Sequence, residues 1–124
     1  MIPDHPFGEL IGLVFEDMTA GSSLCRLDVN EQLFNPHKVI HGGVLYTMAD
    51  TGMGGAVYPL LKEGELCATV EIKITYFKAV RTGSLECRST VINRGKTIAS
   101  LESEILNDGT LVAKAYGTYS IFTP

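Results

Sequence analysis

One apolar segment, residues 42–61, constrains the fold of this chain more than any other feature. Residues 42–60 are too many for an ordinary strand and the segment ends near Pro59, so it predicts the single long helix of the protein. Apolar side chains cover most of its circumference. Gly52, Gly54 and Gly55 each cost a helix interior about 1 kcal/mol relative to alanine. We therefore expect other backbone to approach the helix closely, as a sheet curled around it would.

Short elements precede this helix. Residues 4–11 predict a helical turn with Asp4 at its cap and Pro6 in its first turn. Apolar residues then recur with period two in residues 12–18 and again in residues 22–29, and a glycine-containing turn separates the two runs. This pattern predicts a β-hairpin.

Alternation returns after the helix. Apolar Val70 and Ile72 fall on one face of the predicted strand, and polar Thr69 and Glu71 fall on the other. Turn sequences then divide the rest of the chain into strands of about ten residues that alternate as hairpins do. These turns are RTGS, NRGK and NDGT, at residues 81–84, 93–96 and 107–110. The order predicts an α+β fold with an antiparallel sheet of about six strands, in a single domain, residues 1–124.

Composition and charge exclude several classes of function. Lys and Arg number 10 against 14 Asp and Glu, and no basic run can follow a phosphate backbone, so we expect no nucleic-acid partner. Asp50 interrupts the long apolar segment, which falls short of a membrane span. The start of the chain lacks the pattern of a signal peptide. The cysteines have no CxxC spacing, so we expect buried free thiols in the cytoplasm.

Candidate chemistry lies at two points of the predicted helix. Gly42 and Gly43 stand at its start, where amides have no intrahelical acceptor and the missing side chains let a ligand oxygen approach. Such amides can hold an oxyanion, while Asp50 in apolar surroundings can act as a base or a nucleophile. Together these groups indicate acyl transfer. Gly42 and Asp50 lie about 12 Å apart along the axis. Either they are unrelated or they meet across a two-fold axis between subunits, and we expect the second arrangement.

Each of these residues also has an ordinary structural explanation. Asp50 can face solvent or cap a local hydrogen bond, and two glycines before a helix are common in tight loops. His41 can hydrogen-bond in a core. His37 and His41 are four residues apart, but two histidines in a loop are too few for a metal site, so we expect no metal and no cofactor.

The spacing of these residues resembles a known family. Asn35, then His41, Gly42 and Gly43, then Asp50, follow the pattern of the hotdog-fold acyl-CoA thioesterases of the phenylacetate-pathway (PaaI-like) group. The resemblance continues through TVEIKITYFKAVRTGSL and NRGKTIASLESEILNDGTLVAKAYGTY, so it covers nearly the whole chain. It implies a hotdog fold, in which a curved antiparallel sheet wraps a long central helix. It also implies subunits that pair into a dimer and then a dimer of dimers.

The same resemblance implies a reaction and a role for each residue. The chain is expected to hydrolyse acyl-CoA thioesters with an aryl-acetyl, hydroxybenzoyl or medium-chain acyl group to the free acid and coenzyme A. Asp50 is the expected general base or nucleophile, and the amide of Gly42 of the partner subunit polarises the thioester carbonyl. His41 and Asn35 are expected to shape that pocket, and Thr69 is expected to position water.

Further residues are expected around the substrate. The candidates for binding the substrate, on the same helix as Asp50, are Gly43, Tyr46, Met53 and Gly54. The last three are candidates for the acyl pocket, and ordinary core packing explains their positions equally well. The candidates for holding the coenzyme A phosphates, all in turns, are Arg81, Arg94 and Lys96. No residue is evident for stabilising the leaving thiolate, because the only histidines are His5, His37 and His41.

Two other functions are compatible with a hotdog domain. A non-catalytic protein of this fold binds acyl-CoA without cleaving it, and the presence of Asp50 argues against that function. A hydratase or dehydratase uses a histidine and an acid around an enoyl or 3-hydroxyacyl group, and the predicted helix lacks such a histidine-led pattern. Product analysis separates the three functions, because only hydrolysis releases free thiol.

Overall fold

A six-stranded antiparallel sheet wraps around one long helix, as predicted. The computed structural model describes residues 5–124, and Asp4, the expected helix cap, lies outside the described residues. The helices are α1 Pro6–Ile11 and α2 Gly42–Val57. The strands are β1 Val14–Thr19, β2 Ser22–Asp28, β3 Leu66–Tyr76, β4 Ser84–Arg94, β5 Ile98–Asn107 and β6 Thr110–Phe122. Their order in the sheet is β1-β2-β4-β5-β6-β3, and α2 packs against all six strands.

Local chemistry sets the ends of both helices. The backbone N–H of Gly8 donates to Nδ1 of His5 at 2.7 Å, so His5 caps α1 and Pro6 begins it. The long helix begins at Gly42, as predicted, and its regular part ends at Val57. A 3₁₀ turn, Tyr58–Leu60, follows because Pro59 cannot donate the next helical hydrogen bond.

Side chains of the sheet approach α2 closely at two of its interior glycines. A Cβ at Gly52 would lie 2.6 Å from Oγ of Ser89, and a Cβ at Gly55 would lie 2.5 Å from the ring of Phe15. The hydroxyl of Ser23 also donates to the carbonyl oxygen of Gly52 at 2.5 Å. The expectation of close approach by backbone was therefore wrong, because small and aromatic side chains of β1, β2 and β4 fill the space instead.

The connection through RTGS is not a hairpin, contrary to the prediction. β4 pairs with β2 on one side and β5 on the other, so neither edge is free for β3. β3 instead pairs with β6 at the edge of the sheet, and residues 77–83 cross to β4. The other two predicted turns do close hairpins, and NDGT places Asp108 and Gly109 at φ values of 47° and 88°.

A β-bulge breaks the predicted alternation of β3. Thr69 pairs with Tyr119 and Glu71 pairs with the next residue of β6, Thr118, so Val70 is an extra residue without a partner. Val70 is 60% exposed, whereas Ile72 packs against the core. The prediction that Val70 and Ile72 share a face, with Thr69 on the other, was wrong because the inserted residue shifts the alternation by one position.

The described residues form neither a helix that could span a membrane nor a cluster that could hold a metal ion. In the part of the chain that the structure describes, no helix is long and apolar enough to cross a membrane. Within residues 5–124, no His, Cys, Asp and Glu side chains cluster in a way that could hold a metal ion. Cys25 and Cys87 are buried free thiols, as expected, but Cys67 is only half-buried.

Candidate active site

Two hydroxyl groups converge on one oxygen of Asp50, which is half-buried on α2. The hydroxyl of Thr69 donates to Oδ1 at 2.7 Å, and the hydroxyl of Tyr119 lies 2.7 Å from the same atom. Tyr119 also lies 2.5 Å from the backbone oxygen of Asp50, so its single proton is shared between two acceptors. Among the described residues no side chain donates to Oδ2, which leaves that oxygen to a ligand.

The sheet places both donors. Thr69 and Tyr119 are direct partners in the β3–β6 ladder, immediately before the bulge at Val70. Thr69 and Ile72 are three positions apart, so in a regular strand of the same sequence they would lie on opposite faces. Because of the bulge, both face the helix. Burial raises the pKa of Tyr119 well above its usual range, and the adjacent Asp50 adds to the shift. Tyr119 therefore stays a neutral hydroxyl that can donate. Tyr119 is not evident from the sequence, because no local pattern marks it.

Asp50 lines a mainly apolar cavity of about 280 Å³. Volumes of this size suit part of a small molecule more than a whole coenzyme A thioester. The cavity runs from Asp50 along the next turns of α2 and is bordered by β1, β3 and β6. Its lining residues are His5, Phe15, Met18, Asp50, Thr51, Gly54, Gly55, Tyr58, Cys67, Ala68, Thr69 and Tyr119. The predicted acyl-pocket residue Gly54 is therefore beside Asp50.

Cys67 is a nucleophile by type that lies in this cavity. Burial raises the pKa of its thiol, and the negative charge of Asp50 raises it further. A thiol with a raised pKa carries little thiolate, which is the reactive form. Asp50 is therefore the better candidate for the reacting group.

His5 is a second cavity residue that the sequence analysis did not assign. Its Nδ1 accepts from Gly8, so in the neutral ring the proton is on Nε2. Nε2 lies 3.5 Å from the hydroxyl of Thr51, the residue after Asp50. A histidine therefore lines the same cavity as Asp50. It caps α1, and no spacing in the sequence relates it to α2.

The start of α2 forms a separate polar site. The N–H of Gly43 donates to Nδ1 of His41 at 2.8 Å, whereas no acceptor pairs with the N–H of Gly42 among residues 5–124. The two glycines therefore differ, and only Gly42 offers a free amide at the positive end of the helix dipole. Tyr76 donates to the carbonyl oxygen of Gly42 at 2.8 Å and packs beside it.

The structure does not bring Gly42 and Asp50 together within one chain. Gly42 and Tyr76 line a cavity of about 290 Å³ that shares no described lining residue with the Asp50 cavity. Asn35 belongs to the loop before α2, where its Oδ1 accepts from the N–H of His37 at 2.9 Å. Of the predicted catalytic residues, only Thr69 contacts Asp50, and His41 and Asn35 lie on the Gly42 side.

Other predicted substrate contacts lie away from Asp50. Met53 is fully buried beneath Gly117, so the structure places it in the core and not in the acyl cavity. Tyr46 is exposed, with its hydroxyl 3.5 Å from the backbone oxygen of Ile72. Both residues share the helix with Asp50, but packing against the sheet decides which positions reach the cavity.

The predicted phosphate-binding cations are also dispersed. Arg94 pairs with Glu65 at 2.8 Å and donates to the backbone oxygens of Gly95 and Lys96, so its guanidinium fastens the β4–β5 turn. Lys96 is exposed and lines a third cavity of about 600 Å³ with Arg94. Arg81 is exposed on the connection between β3 and β4. None of these cations lines the Asp50 cavity.

Comparison with known sequences decides the family. The pattern of the thioesterase superfamily matches residues 37–114, which is more than half of the chain and includes His41, Gly42, Asp50 and Thr69. The chain belongs to the thioesterase superfamily. This thioesterase-superfamily protein is similar to a provisionally named esterase of Saccharolobus solfataricus, with 31% identity over 90% of this chain and 75% of that protein.

Two further relatives carry more specific names. The 1,4-dihydroxy-2-naphthoyl-CoA hydrolase of Listeria monocytogenes is 22% identical, over 81% of each chain. A mutant of the phenylacetic acid degradation protein PaaI of Thermus thermophilus superposes with a TM-score of 0.87 and 26% identity, over 94% of this chain and 98% of that one. The predicted hotdog fold is confirmed, and family membership confirms the prediction of a thioester hydrolase.

Proposed function

We propose that this protein hydrolyses acyl-CoA thioesters, with Asp50 as the reacting group at a site completed by a second subunit. The observation that carries the proposal is the arrangement of Asp50. One carboxylate oxygen accepts from Thr69 and Tyr119, the other accepts from no side chain among residues 5–124, and Asp50 lines an apolar cavity. A carboxylate fixed in this way can act on a reacting group in the cavity without first giving up a protein partner.

The chemistry follows from which oxygen is free. As a general base, Oδ2 of Asp50 takes a proton from water while the water oxygen bonds to the thioester carbon. As a nucleophile, Oδ2 bonds to that carbon itself, and water later cleaves the resulting anhydride. By either route the carbonyl becomes an oxyanion, the carbon–sulfur bond breaks and coenzyme A leaves as its thiolate. A free backbone N–H near that oxyanion would stabilise it.

The proposed source of that N–H is Gly42 of the partner subunit. Within one chain Gly42 lies in a different cavity from Asp50. β3 is an edge strand with exposed apolar side chains, which is a surface suited to pairing with a second copy. These side chains on and beside β3 are Leu66, Val70, Tyr76 and Phe77. A two-fold contact there would bring two α2 helices side by side in opposite directions, and a dimer of dimers is the proposed assembly.

The proposed substrate is a coenzyme A thioester with an aryl-acetyl, hydroxybenzoyl or medium-chain acyl group. Support comes from relatives, one named a naphthoyl-CoA hydrolase and another a phenylacetic acid degradation protein. Exposed Lys96 and Arg81 remain candidates for the coenzyme A phosphates, whereas Arg94 is already paired. We place the reaction in the cytoplasm and invoke no cofactor, and the three free thiols are compatible with a reducing compartment.

Thiol release from a panel of aryl- and straight-chain acyl-CoAs tests the proposal, with the protein and its Asp50→Ala variant assayed side by side. We expect release that depends on Asp50, and the rate order will identify the acyl class. Acyl-CoA binding without thiol release would contradict hydrolysis and favour a non-catalytic binder. Thiol release that survives in Asp50→Ala would contradict the assignment of Asp50.

A further inference from the structure

The three interior glycines of α2 are not equivalent. A Cβ at Gly52 would lie 2.6 Å from Oγ of Ser89, and one at Gly55 would lie 2.5 Å from the ring of Phe15. At Gly54 the nearest atom to an added Cβ is the hydroxyl oxygen of Tyr119, at 4.0 Å, an ordinary contact distance. Packing among residues 5–124 therefore explains Gly52 and Gly55, but it does not explain Gly54.

Backbone conformation does not explain Gly54 either. It lies inside the regular helix Gly42–Val57 and is not among the glycines with positive φ. An L-residue adopts this conformation without strain, and alanine would favour the helix by about 1 kcal/mol. Within the part of the chain that the structure describes, the glycine thus lowers the stability of the helix without a conformational or packing reason.

The position of Gly54 relates it directly to the proposed reaction. It lies four residues after Asp50, so it is on the same face of α2 and roughly 6 Å further along the axis. It lines the same cavity as Asp50, opposite residues of β3 and β6. An acyl group whose carbonyl carbon stands at Asp50 and whose chain runs along the cavity would cross Gly54 with its second and later carbons.

We infer that Gly54 is a specificity-determining residue, whose missing side chain leaves room for acyl groups that are bulky beyond the carbonyl carbon. This inference rests on the proposed thioesterase function and names the property that Gly54 gives to the site. One methyl group can discriminate between ligands in an apolar pocket by roughly 10–200-fold. The protein therefore selects aryl-acetyl or branched acyl groups over acetyl. A Cβ at Gly54 would fill this part of the cavity and remove the preference.

The test is the variant Gly54→Ala, assayed on a size series from acetyl-CoA to phenylacetyl-CoA and in parallel by chemical denaturation. We expect the ratio of kcat/KM for phenylacetyl-CoA to that for acetyl-CoA to fall at least about tenfold. The denaturation midpoint should rise, because alanine stabilises the helix and meets no close neighbour. A gain of stability together with a loss of bulky substrates separates a substrate role from a structural one.

Gly52→Ala is the matched control, since it makes the same change at a helix position that faces the sheet and not the cavity. It should lower the denaturation midpoint because its Cβ overlaps Ser89, and it should leave the ratio of the two substrates unchanged. An unchanged ratio of kcat/KM for phenylacetyl-CoA to that for acetyl-CoA in Gly54→Ala would overturn the inference, including the case in which both values fall equally.

The proposed function can fail separately. If the protein with Gly54 binds acyl-CoAs but hydrolyses none, the thioesterase proposal fails, and calorimetric binding of the same series still measures the size preference. A fall in affinity for phenylacetyl-CoA alone in Gly54→Ala would then support the role of Gly54. If neither acetyl-CoA nor phenylacetyl-CoA is bound or cleaved, both the inference and the proposed function are overturned.

Discussion

The start and the middle of α2 differ in what they offer a substrate. Near its middle, Asp50 has a fixed carboxylate and an apolar cavity, but the hydroxyls beside it already donate to that carboxylate. At its start, Gly42 has a free amide, but no acid lines its cavity among the residues that the structure describes. The acid and the free amide therefore line separate cavities within residues 5–124, and a single chain does not bring them together.

The largest expected effect comes from removing the charge of Asp50. Asp50→Asn keeps the shape of the side chain but can neither take a proton nor form an acyl bond, so kcat should fall by about 10²-fold or more. Steady-state thiol release measures the fall, and gel filtration checks that the assembly is unchanged. Asp17→Asn, the same change at an exposed acid of β1, is the control and should retain full activity. A near-normal rate in Asp50→Asn would remove Asp50 from the mechanism.

Mixing inactive subunits tests whether the two regions cooperate across an interface. Gly42→Pro removes the free amide at the first position of the helix, where proline is tolerated. Random pairing of Gly42→Pro with Asp50→Ala subunits should restore about a quarter of the original activity, because half of the dimers are mixed and each has one intact site. Each variant alone should be inactive. Absence of rescue after verified subunit exchange would mean that the two regions do not share a site.

The hydroxyl donors of Asp50 should have a smaller effect. Tyr119→Phe and Thr69→Val each remove one donor to Oδ1 and should lower kcat by about tenfold with little change in KM, which corresponds to the lower end of the roughly 1.5–3 kcal/mol that a hydrogen bond to a charged group contributes. Thr69→Ser keeps the hydroxyl and should stay close to the original rate. Tyr116→Phe is the control, because Tyr116 lies on the same strand as Tyr119, β6, but is exposed. A change in KM alone would indicate a binding role instead of positioning.

The smallest effect is expected from the histidine at the helix start. His41→Ala removes the acceptor of the Gly43 N–H and should lower the free energy of unfolding by about 1 kcal/mol, as the loss of other helix caps does. His41→Asn should recover most of this loss, because asparagine is also a good cap. Urea denaturation measures both, with His37→Ala in the exposed loop as the control. Equal stability of all three variants would show that His41 does not hold this end in place.

Local signals predicted the helices and strands of the fold, and they indicated Asp50 and the start of α2 as candidate groups. The length of the apolar segment predicted α2, and NDGT predicted the β5–β6 hairpin because its residues favour positive φ. Which strands pair depends on residues far apart in the sequence. The RTGS turn therefore does not show that β4 pairs with β2 and that β3 pairs with β6.

Tyr119 and His5 were not predicted because they reach the cavity from parts of the chain that are distant in sequence from Asp50. Tyr119 reaches Asp50 across 69 positions of sequence. Its place opposite Thr69 follows from the pairing of β3 with β6, which the turn pattern did not predict. His5 reaches the cavity only because the chain before β1 folds back onto α2. Periodicity shows which face a side chain takes only where no bulge interrupts the strand, and it does not show which element stands opposite that face.

The extra residue in β3 makes the strand tolerant of one change in length. Thr69 and Ile72 are separated by an odd number of positions, yet both turn toward the helix because Val70 is not counted in the ladder. Deleting Val70 would remove the bulge and leave Thr69 and Ile72 two positions apart, so both would still turn toward the helix in a regular strand. The chain would then keep both the apolar contact of its core and the hydroxyl beside Asp50. Substitution and deletion at this exposed position are therefore both expected to leave the two side chains in place.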